Sequence, residues 1–578
     1  MESTEREDSL THDNQQGGGI ALPGEYGSTN FNWMVFLLIV GLSAVLCFCG
    51  LGRRTLWQDE GETAVLAQRV LIYGIPRALD GYNLVYQEPG GLYQYDKNYL
   101  WTYHPWGQFY LTAASFAVLG QTTFAARFPF AVCGVLTVAL LYVFVWRHWR
   151  SPAVAALSAL LLATSTAFVL HCRQCRYYGL SAFTCLLVVV VFVEMMKRPC
   201  RQWWIMFGVA LAAQFYTDFG TLVVILPSLV ISLWSMNARR GELIATAKGF
   251  ALAVLLIMPG LLLHRHRLVA AGGGNHTFLS MLWPHICFFD NWFVPLLFLV
   301  PAAAVFVLRQ AKSDRCLSEQ NRIIITCVFV ICADVAGMAW IVPGPSVHYL
   351  MPSISLAKLV LGMIFVEGYV LLRQKGLSLM PAKIIVIAGF FILMFSDVFS
   401  LPVQYFVRGD EYKDLDFCSK SKPFIRTEFT GLIYEITHDF VCPDRLAVNL
   451  VDSLVEPEET AAASYGELVL MFYRPDVRVY GPDTLSNAAG APDLFILGKT
   501  PWLINIEEWL KKYAYIQCLI PVPVATFGGN FPEPSGHYFS TSSRQCILQV
   551  YLRRDHENRI SKLPKTAEEL EVYLHRCH

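Results

Sequence analysis

Charge is scarce in this chain. Asp, Glu, Lys and Arg make up 16% of its 578 residues, against 54% apolar residues. That shortage excludes an ordinary cytosolic globule and a disordered chain, both of which carry more polar surface. Neither sign is in excess: 45 basic and 45 acidic residues cancel, so no global bias points to nucleic acid. Acidic residues are nearly missing from the middle, with 9 between Phe124 and Ser400 against 24 in the last 178 residues. The 16 cysteines lack metal spacing; eleven precede residue 400, mostly inside apolar runs, and Cys172-x-x-Cys175 has no second pair. No repeat of fixed period stands out, and the tail beyond about Leu401 shows no Gly-rich phosphate loop or nucleophile elbow. Residues 1–31 lack the basic region of a signal peptide and are expected to be a disordered tail.

What is abundant is apolar sequence in runs of about 17–25 residues, the length that spans a bilayer. They start near Trp33–Leu51 and continue near 105–122, 125–146, 152–170, 178–194, 203–217, 219–236, 247–263, 287–309, 322–342, 350–372 and 382–400. The expected fold is a polytopic α-helical membrane bundle of about 11–13 spans with a C-terminal extracytoplasmic α/β domain. The expected division is a transmembrane domain over 32–400, including a first extracytoplasmic loop at 53–104, and the α/β domain over 401–578. Basic clusters such as Arg147/Arg150, Lys197/Arg198/Arg201 and Arg239/Arg240 mark cytoplasmic breaks. Counted alternately from the C-terminal end, they put 401–578 outside. An inward N-terminus with an outward first loop needs an odd count, which points to a short or broken pass between 105 and 200. In the tail, Arg445–Val451, Leu468–Phe472, Leu494–Leu497 and Gln545–Tyr551 read as strands, and Glu507–Tyr513 and Ala567–Leu574 as helices.

The first loop opens with Trp57-Gln58-Asp59-Glu60-Gly61-Glu62. Carboxylates beside a membrane span are costly to bury unless a task or partner offsets them. Asp59 and Glu60 read equally as a catalytic or metal-holding pair and as solvated acids before a helix over Thr63–Tyr73. Tyr103 and Trp106 belong to an aromatic-rich stretch suited to an interfacial belt or to stacking on sugars. Lys97 and His104 fit a lipid phosphate or ordinary headgroup contact. Arg127, Arg173 and Arg176 lie at the ends of apolar runs, where an intramembrane cation needs an anion or serves as a topology anchor. Asp218 and His348 sit at other outer breaks, each reading alone as a capped or solvated end and together as polar groups converging on one face.

In this order the motifs resemble the C-type (GT-C) membrane glycosyltransferases, close to the bacterial relatives of protein O-mannosyltransferases and of the lipid A aminoarabinose transferase. The resemblance rests on Leu56-Trp57-Gln58-Asp59-Glu60-Gly61-Glu62-Thr63 followed by Tyr73-Gly74-Ile75-Pro76. It continues through His104-Pro105-Trp106, Ala126-Arg127-Phe128-Pro129-Phe130, Arg173/Arg176-Tyr177 and His348-Tyr349-Leu350-Met351-Pro352. Trp106 replaces a usual second proline, and His348 a usual arginine.

The resemblance implies sugar transfer from a polyprenyl-phosphate-linked donor to an extracytoplasmic lipid, glycan or protein acceptor, with inversion, in a multi-pass protein of the bacterial inner membrane. By it Asp59 is the catalytic carboxylate and Glu60 its partner. His104, Arg127, Arg173, Arg176, Lys97 and His348 fall near the donor phosphate, and Asp218, Tyr103 and Trp106 near the acceptor or sugar. No metal ligand set is assigned and a divalent metal stays open. The alternative is a flippase that moves the lipid-linked sugar without breaking a bond.

Overall fold

Every apolar run expected from the sequence is helical in the computed structural model of the chain. The structure describes residues 31–86, 94–270, 277–311, 317–342, 344–400, 425–439, 442–497, 506–524, 532–534, 537 and 544–564. The expected disordered tail and the helix over Ala567–Leu574 lie outside the described residues, apart from Phe31.

Among the described residues, five helices are long and apolar enough to cross a membrane, or up to seven if each of two bent pairs is one span. Four shorter apolar helices, Trp33–Phe48, Gly107–Leu119, Phe219–Ser235 and Leu379–Phe395, accompany them. Their cause is local: near-continuous apolar sequence, punctuated by N-caps. Thr122 caps Thr123–Trp149 through Ala125 N–H at 3.1 Å, and Ser151 caps Pro152–Ala163, whose proline stands in the first turn. The segment from 105 to 200, where a short or broken pass was expected, holds the 13-residue helix Gly107–Leu119 and the pair Pro152–Ala163 and Thr166–Cys172, bent by 61°. That bend leads into the turn 173–177, which carries Arg173 and Arg176.

The C-terminal region is an α/β domain. Its sheet has the order β2-β1-β3-β5-β4, with β1 Thr460–Ala463, β2 Arg478–Tyr480, β3 Leu494–Leu497, β4 Tyr515–Val524 and β5 Arg544–Arg553. β1 pairs parallel with β2 and β3, whereas β5 pairs antiparallel with β3 and β4. Two expected strands are helices instead. Arg445–Val451 lies in Pro443–Leu454, where Leu446, Leu450 and Leu454 recur every fourth residue on one buried face and proline occupies the first turn. Leu468–Phe472 lies in Glu467–Tyr473; a short apolar run buried all round has no periodicity to separate helix from strand.

Two cores result. One fills the helical bundle. The other is shared: Leu56, Leu66, Trp101 and Phe130 from the first loop and its neighbours pack with Leu446, Leu468, Val550 and Leu552 from the C-terminal domain. The first-loop helix Gln58–Tyr73 packs directly on Glu467–Tyr473. Gly61 makes the approach feasible, since a Cβ there would lie 2.8 Å from the backbone of Leu468 and Val469. Asn83 fastens the other end of the loop, donating to the Val477 carbonyl at 3.0 Å and accepting from Val479 N–H at 2.8 Å.

Candidate active site

The helix Gln58–Tyr73 starts earlier than the expected Thr63, so Asp59, Glu60 and Glu62 all lie within its first turns. Helical geometry then sorts the three carboxylates. Residues three apart share a face, so Asp59 and Glu62 point together while Glu60 points elsewhere.

Glu60 meets Arg127 in a two-pronged buried ion pair, Nε to Oε1 at 2.7 Å and Nη2 to Oε2 at 2.6 Å. Cys175 N–H donates to the same carboxylate at 2.7 Å, and Trp57 N–H at 3.3 Å. The other Arg127 donors go to the carbonyls of Leu51, Arg54 and Thr55, each at 3.0 Å. This pair joins the loop's entry to the turn 173–177. Trp57 Nε1 adds a second tie to that turn, donating to Gln174 at 2.6 Å.

Glu62 is fully buried and accepts from His104 Nδ1 at 2.7 Å and from Arg176 Nη1 at 2.8 Å. Arg176 Nη2 in turn stands 3.6 Å from Asp59 Oδ2. Four side chains thus run in a line, Asp59–Arg176–Glu62–His104, with the charges alternating when His104 is protonated. Burial pushes the Glu62 carboxyl up, and Arg176 and His104 outweigh it and hold the carboxyl below its ordinary value. Tyr103 lies edge-on to His104 with ring centroids 4.5 Å apart. Tyr178 stacks on His348 with ring centroids 4.9 Å apart. His348, on the short helix Val347–Ser353, also meets Ser346 Oγ through Nδ1 at 2.7 Å.

The other residues singled out from the sequence have different surroundings. Arg173 donates to the carbonyls of Leu46 and Cys47 at 2.9 and 3.0 Å, closing the last turn of Trp33–Phe48. Asp218 caps Phe219–Ser235, accepting from Thr221 N–H at 3.2 Å, Thr221 Oγ1 at 2.5 Å and Ser181 Oγ at 3.3 Å. Trp106 Nε1 donates to the Trp101 carbonyl at 2.9 Å. Lys97 is exposed in the turn between Asp96 and Tyr99.

Beside Asp59 lies a cavity of about 230 Å³ between the first loop and the C-terminal domain. Glu467 forms part of its wall, and its Oε1 accepts from Gln58 Nε2 at 2.5 Å. Burial pushes the Glu467 carboxyl up to about 7, and Asp483 adds to the rise. Among the described residues, one group with three metal-type ligands occurs, Glu459, Asp493 and His556. Arg559 and Arg553 already pair with its two carboxylates, at 2.6 and 2.8 Å, which makes it an ion-pair network.

Sequence reasoning left Glu62, His264 and Glu467 off the candidate list. Glu62 had a signal, its three-residue spacing from Asp59. His264, which meets the Thr102 carbonyl at 2.7 Å through Nδ1, and Glu467 had none, because both reach the first loop through tertiary packing.

Comparison with known proteins gives three kinds of likeness. The family model described as dolichyl-phosphate-mannose-protein mannosyltransferase matches residues 103–263. Undecaprenyl phosphate-alpha-4-amino-4-deoxy-L-arabinose arabinosyl transferase 2 of Pseudomonas fluorescens (strain Pf0-1) is 27% identical over 229 residues, 38% of each chain. The corresponding arabinosyl transferase of Pseudomonas aeruginosa (strain UCBPP-PA14) is 28% identical over 234 residues, 39% of each chain. The match thus spans less than half the length of these curated relatives. The crystal structure of ArnT from Cupriavidus metallidurans in the apo state aligns over 89% of this chain and 97% of its own, at 13% identity and a TM-score of 0.52. The overall fold is therefore shared with ArnT, and the local sequence matches agree with the GT-C resemblance carried by the motifs.

Proposed function

We propose that the chain is an integral membrane glycosyltransferase that moves a sugar from a polyprenyl-phosphate donor to an extracytoplasmic acceptor with inversion at the anomeric carbon. The observation that carries this reading is the line Asp59–Arg176–Glu62–His104, which puts a carboxylate beside a cavity and cationic groups behind it. Rupture of the anomeric C–O bond passes through an oxocarbenium-like state, and the departing phosphate needs no general acid. Arg176 and protonated His104 stabilise the charge growing on that phosphate. Asp59 takes the proton of the acceptor hydroxyl as its oxygen attacks the opposite face, and one displacement inverts the centre. Glu62 holds both cations in place. Glu60 with Arg127, and Arg173 with the end of the first helix, hold the loop that carries Asp59.

The names of the partial-length relatives and of the family model support a lipid-phosphate sugar as donor class. We read residues 32–400 as the transferase domain and 401–578 as an extracytoplasmic domain, in the inner membrane of a bacterium. The test uses the purified full chain with a radiolabelled polyprenyl-phosphate sugar. Wild type releases polyprenyl phosphate and labels an acceptor, and Asp59→Asn lowers the rate by about 10²-fold or more, the range of general-base catalysis. Full transfer by Asp59→Asn overturns the assignment. Movement of intact donor across liposomes without cleavage overturns the transferase reading in favour of a flippase.

A further inference from the structure

The cavity beside Asp59 has a composition that selects an acceptor. Gln58 and Asp59 form one wall from the first-loop helix; Ser464, Tyr465, Glu467 and Asp483 form the facing wall from the C-terminal domain. Among the described residues that line it, none is basic. Glu467 is 7% exposed, and its Oε2 has no hydrogen-bond partner although Oε1 is held by Gln58. A buried oxygen left unsatisfied on a cavity wall is a place for a ligand's donor group. The position is built: a Cβ on Gly481 would lie 2.8 Å from Glu467 Cγ, so glycine there leaves room for the carboxyl.

We propose that this cavity is the acceptor site, and that it takes a neutral, hydroxyl-rich saccharide in preference to a phosphorylated acceptor. This reading rests on Asp59 being the base that receives the acceptor's proton. Carboxyl and hydroxyl groups supply the acceptors and donors that sugar hydroxyls need. Tyr465 and Tyr86 add aromatic faces on which a sugar ring can lie. A phosphate would face the carboxylates of Asp59 and Asp483 with no cation among the described lining residues, and like charges across an interface reject a partner. The volume is below the about 300–1,000 Å³ of a drug-sized site. It suits one sugar unit at the end of a larger acceptor.

The experiment uses the full chain in detergent with a radiolabelled polyprenyl-phosphate sugar. A pool of neutral oligosaccharides competes with a doubly phosphorylated disaccharide, and label is followed to water, to each saccharide and to polyprenyl phosphate. Wild type labels the neutral pool and leaves the phosphorylated disaccharide unlabelled. Tyr465→Ala and Asp483→Lys lower the ratio of transfer to donor hydrolysis at least tenfold. Glu467→Gln, which keeps the side-chain volume, lowers it in the same direction and guards against a folding defect. Preference for the phosphorylated disaccharide, failure to label any neutral saccharide while donor is hydrolysed, or a ratio unmoved by all three substitutions overturns the acceptor proposal alone. Absence of any donor cleavage overturns the donor reading, and this proposal falls with it.

Discussion

Arg127 is open from the sequence to two roles, phosphate ligand and topology anchor; the structure makes it a pin for the first loop, and Arg127→Met tests that against the phosphate role. Arg127 is 4% exposed, and its guanidinium donates two bonds to Glu60 and three to backbone carbonyls. Removing one member of a buried, hydrogen-bonded ion pair costs about 3–5 kcal/mol, because the surviving charge stays buried. Glu60 keeps the Cys175 and Trp57 amide donors, which places Arg127→Met near the lower end, about 3 kcal/mol. Equilibrium unfolding of the full chain in mixed micelles measures this loss. A double-mutant cycle with Glu60→Gln isolates the pair, and coupling of about 2 kcal/mol is expected for groups in direct contact. Arg127→Met with wild-type unfolding free energy and lost retention of polyprenyl phosphate refutes the reasoning and makes Arg127 a donor ligand.

Gly61→Ala pushes the first-loop helix off the C-terminal domain, because its Cβ meets backbone that cannot rotate away. A loss of about 1–3 kcal/mol is expected, read by unfolding and by faster proteolysis of the C-terminal domain; unchanged protection contradicts the docking. Glu467 titrates at about 7 in the folded chain against an ordinary 4.5, so its neutral form is the one that stabilises. That contribution is full below the ordinary value and lost as pH rises through about 7, at most about 3 kcal/mol. Glu467→Gln therefore removes a fall in stability between about pH 4.5 and about pH 7, and an identical slope in the variant refutes the assignment. Glu62 behaves oppositely: its contribution is present above its ordinary carboxyl value and is lost as pH falls through its depressed folded value. Glu62→Gln abolishes that acid-side loss and lowers transfer about tenfold or more by loosening Arg176 and His104, and unchanged transfer contradicts their role.

The bundle was legible because lipid-facing helices have one requirement, an apolar run of spanning length, and such runs need no knowledge of their neighbours. The tail was legible only in part. Leu494–Leu497 and Gln545–Tyr551 are strands as read, and Glu507–Tyr513 contains the helix Glu507–Lys512. Leu468–Phe472 was misread because every residue of that run is buried, so the alternation that identifies a half-buried strand and the stripe that identifies a surface helix are both erased. Arg445–Val451 carried a usable signal in the four-residue recurrence of Leu446, Leu450 and Leu454, which outweighs its β-branched valines.

At the site, the same rule of spacing decides what was and was not visible. Asp59, Glu60 and Glu62 are one acidic cluster in sequence, and composition alone ranks the adjacent pair first. Once the helix begins at Gln58, adjacency means separation: Glu60 turns to Arg127, whereas Asp59 and Glu62, three residues apart, converge on Arg176. The partner of the proposed base in space is therefore Glu62, acting through a shared arginine. Glu62 also recruits His104 from 42 residues away. Glu62 is fully buried between Arg176 and His104, whereas Asp59 is only partly buried at the cavity. An arginine set between two carboxylates reduces their repulsion, so Arg176 lets Asp59 and Glu62 share one face of the helix.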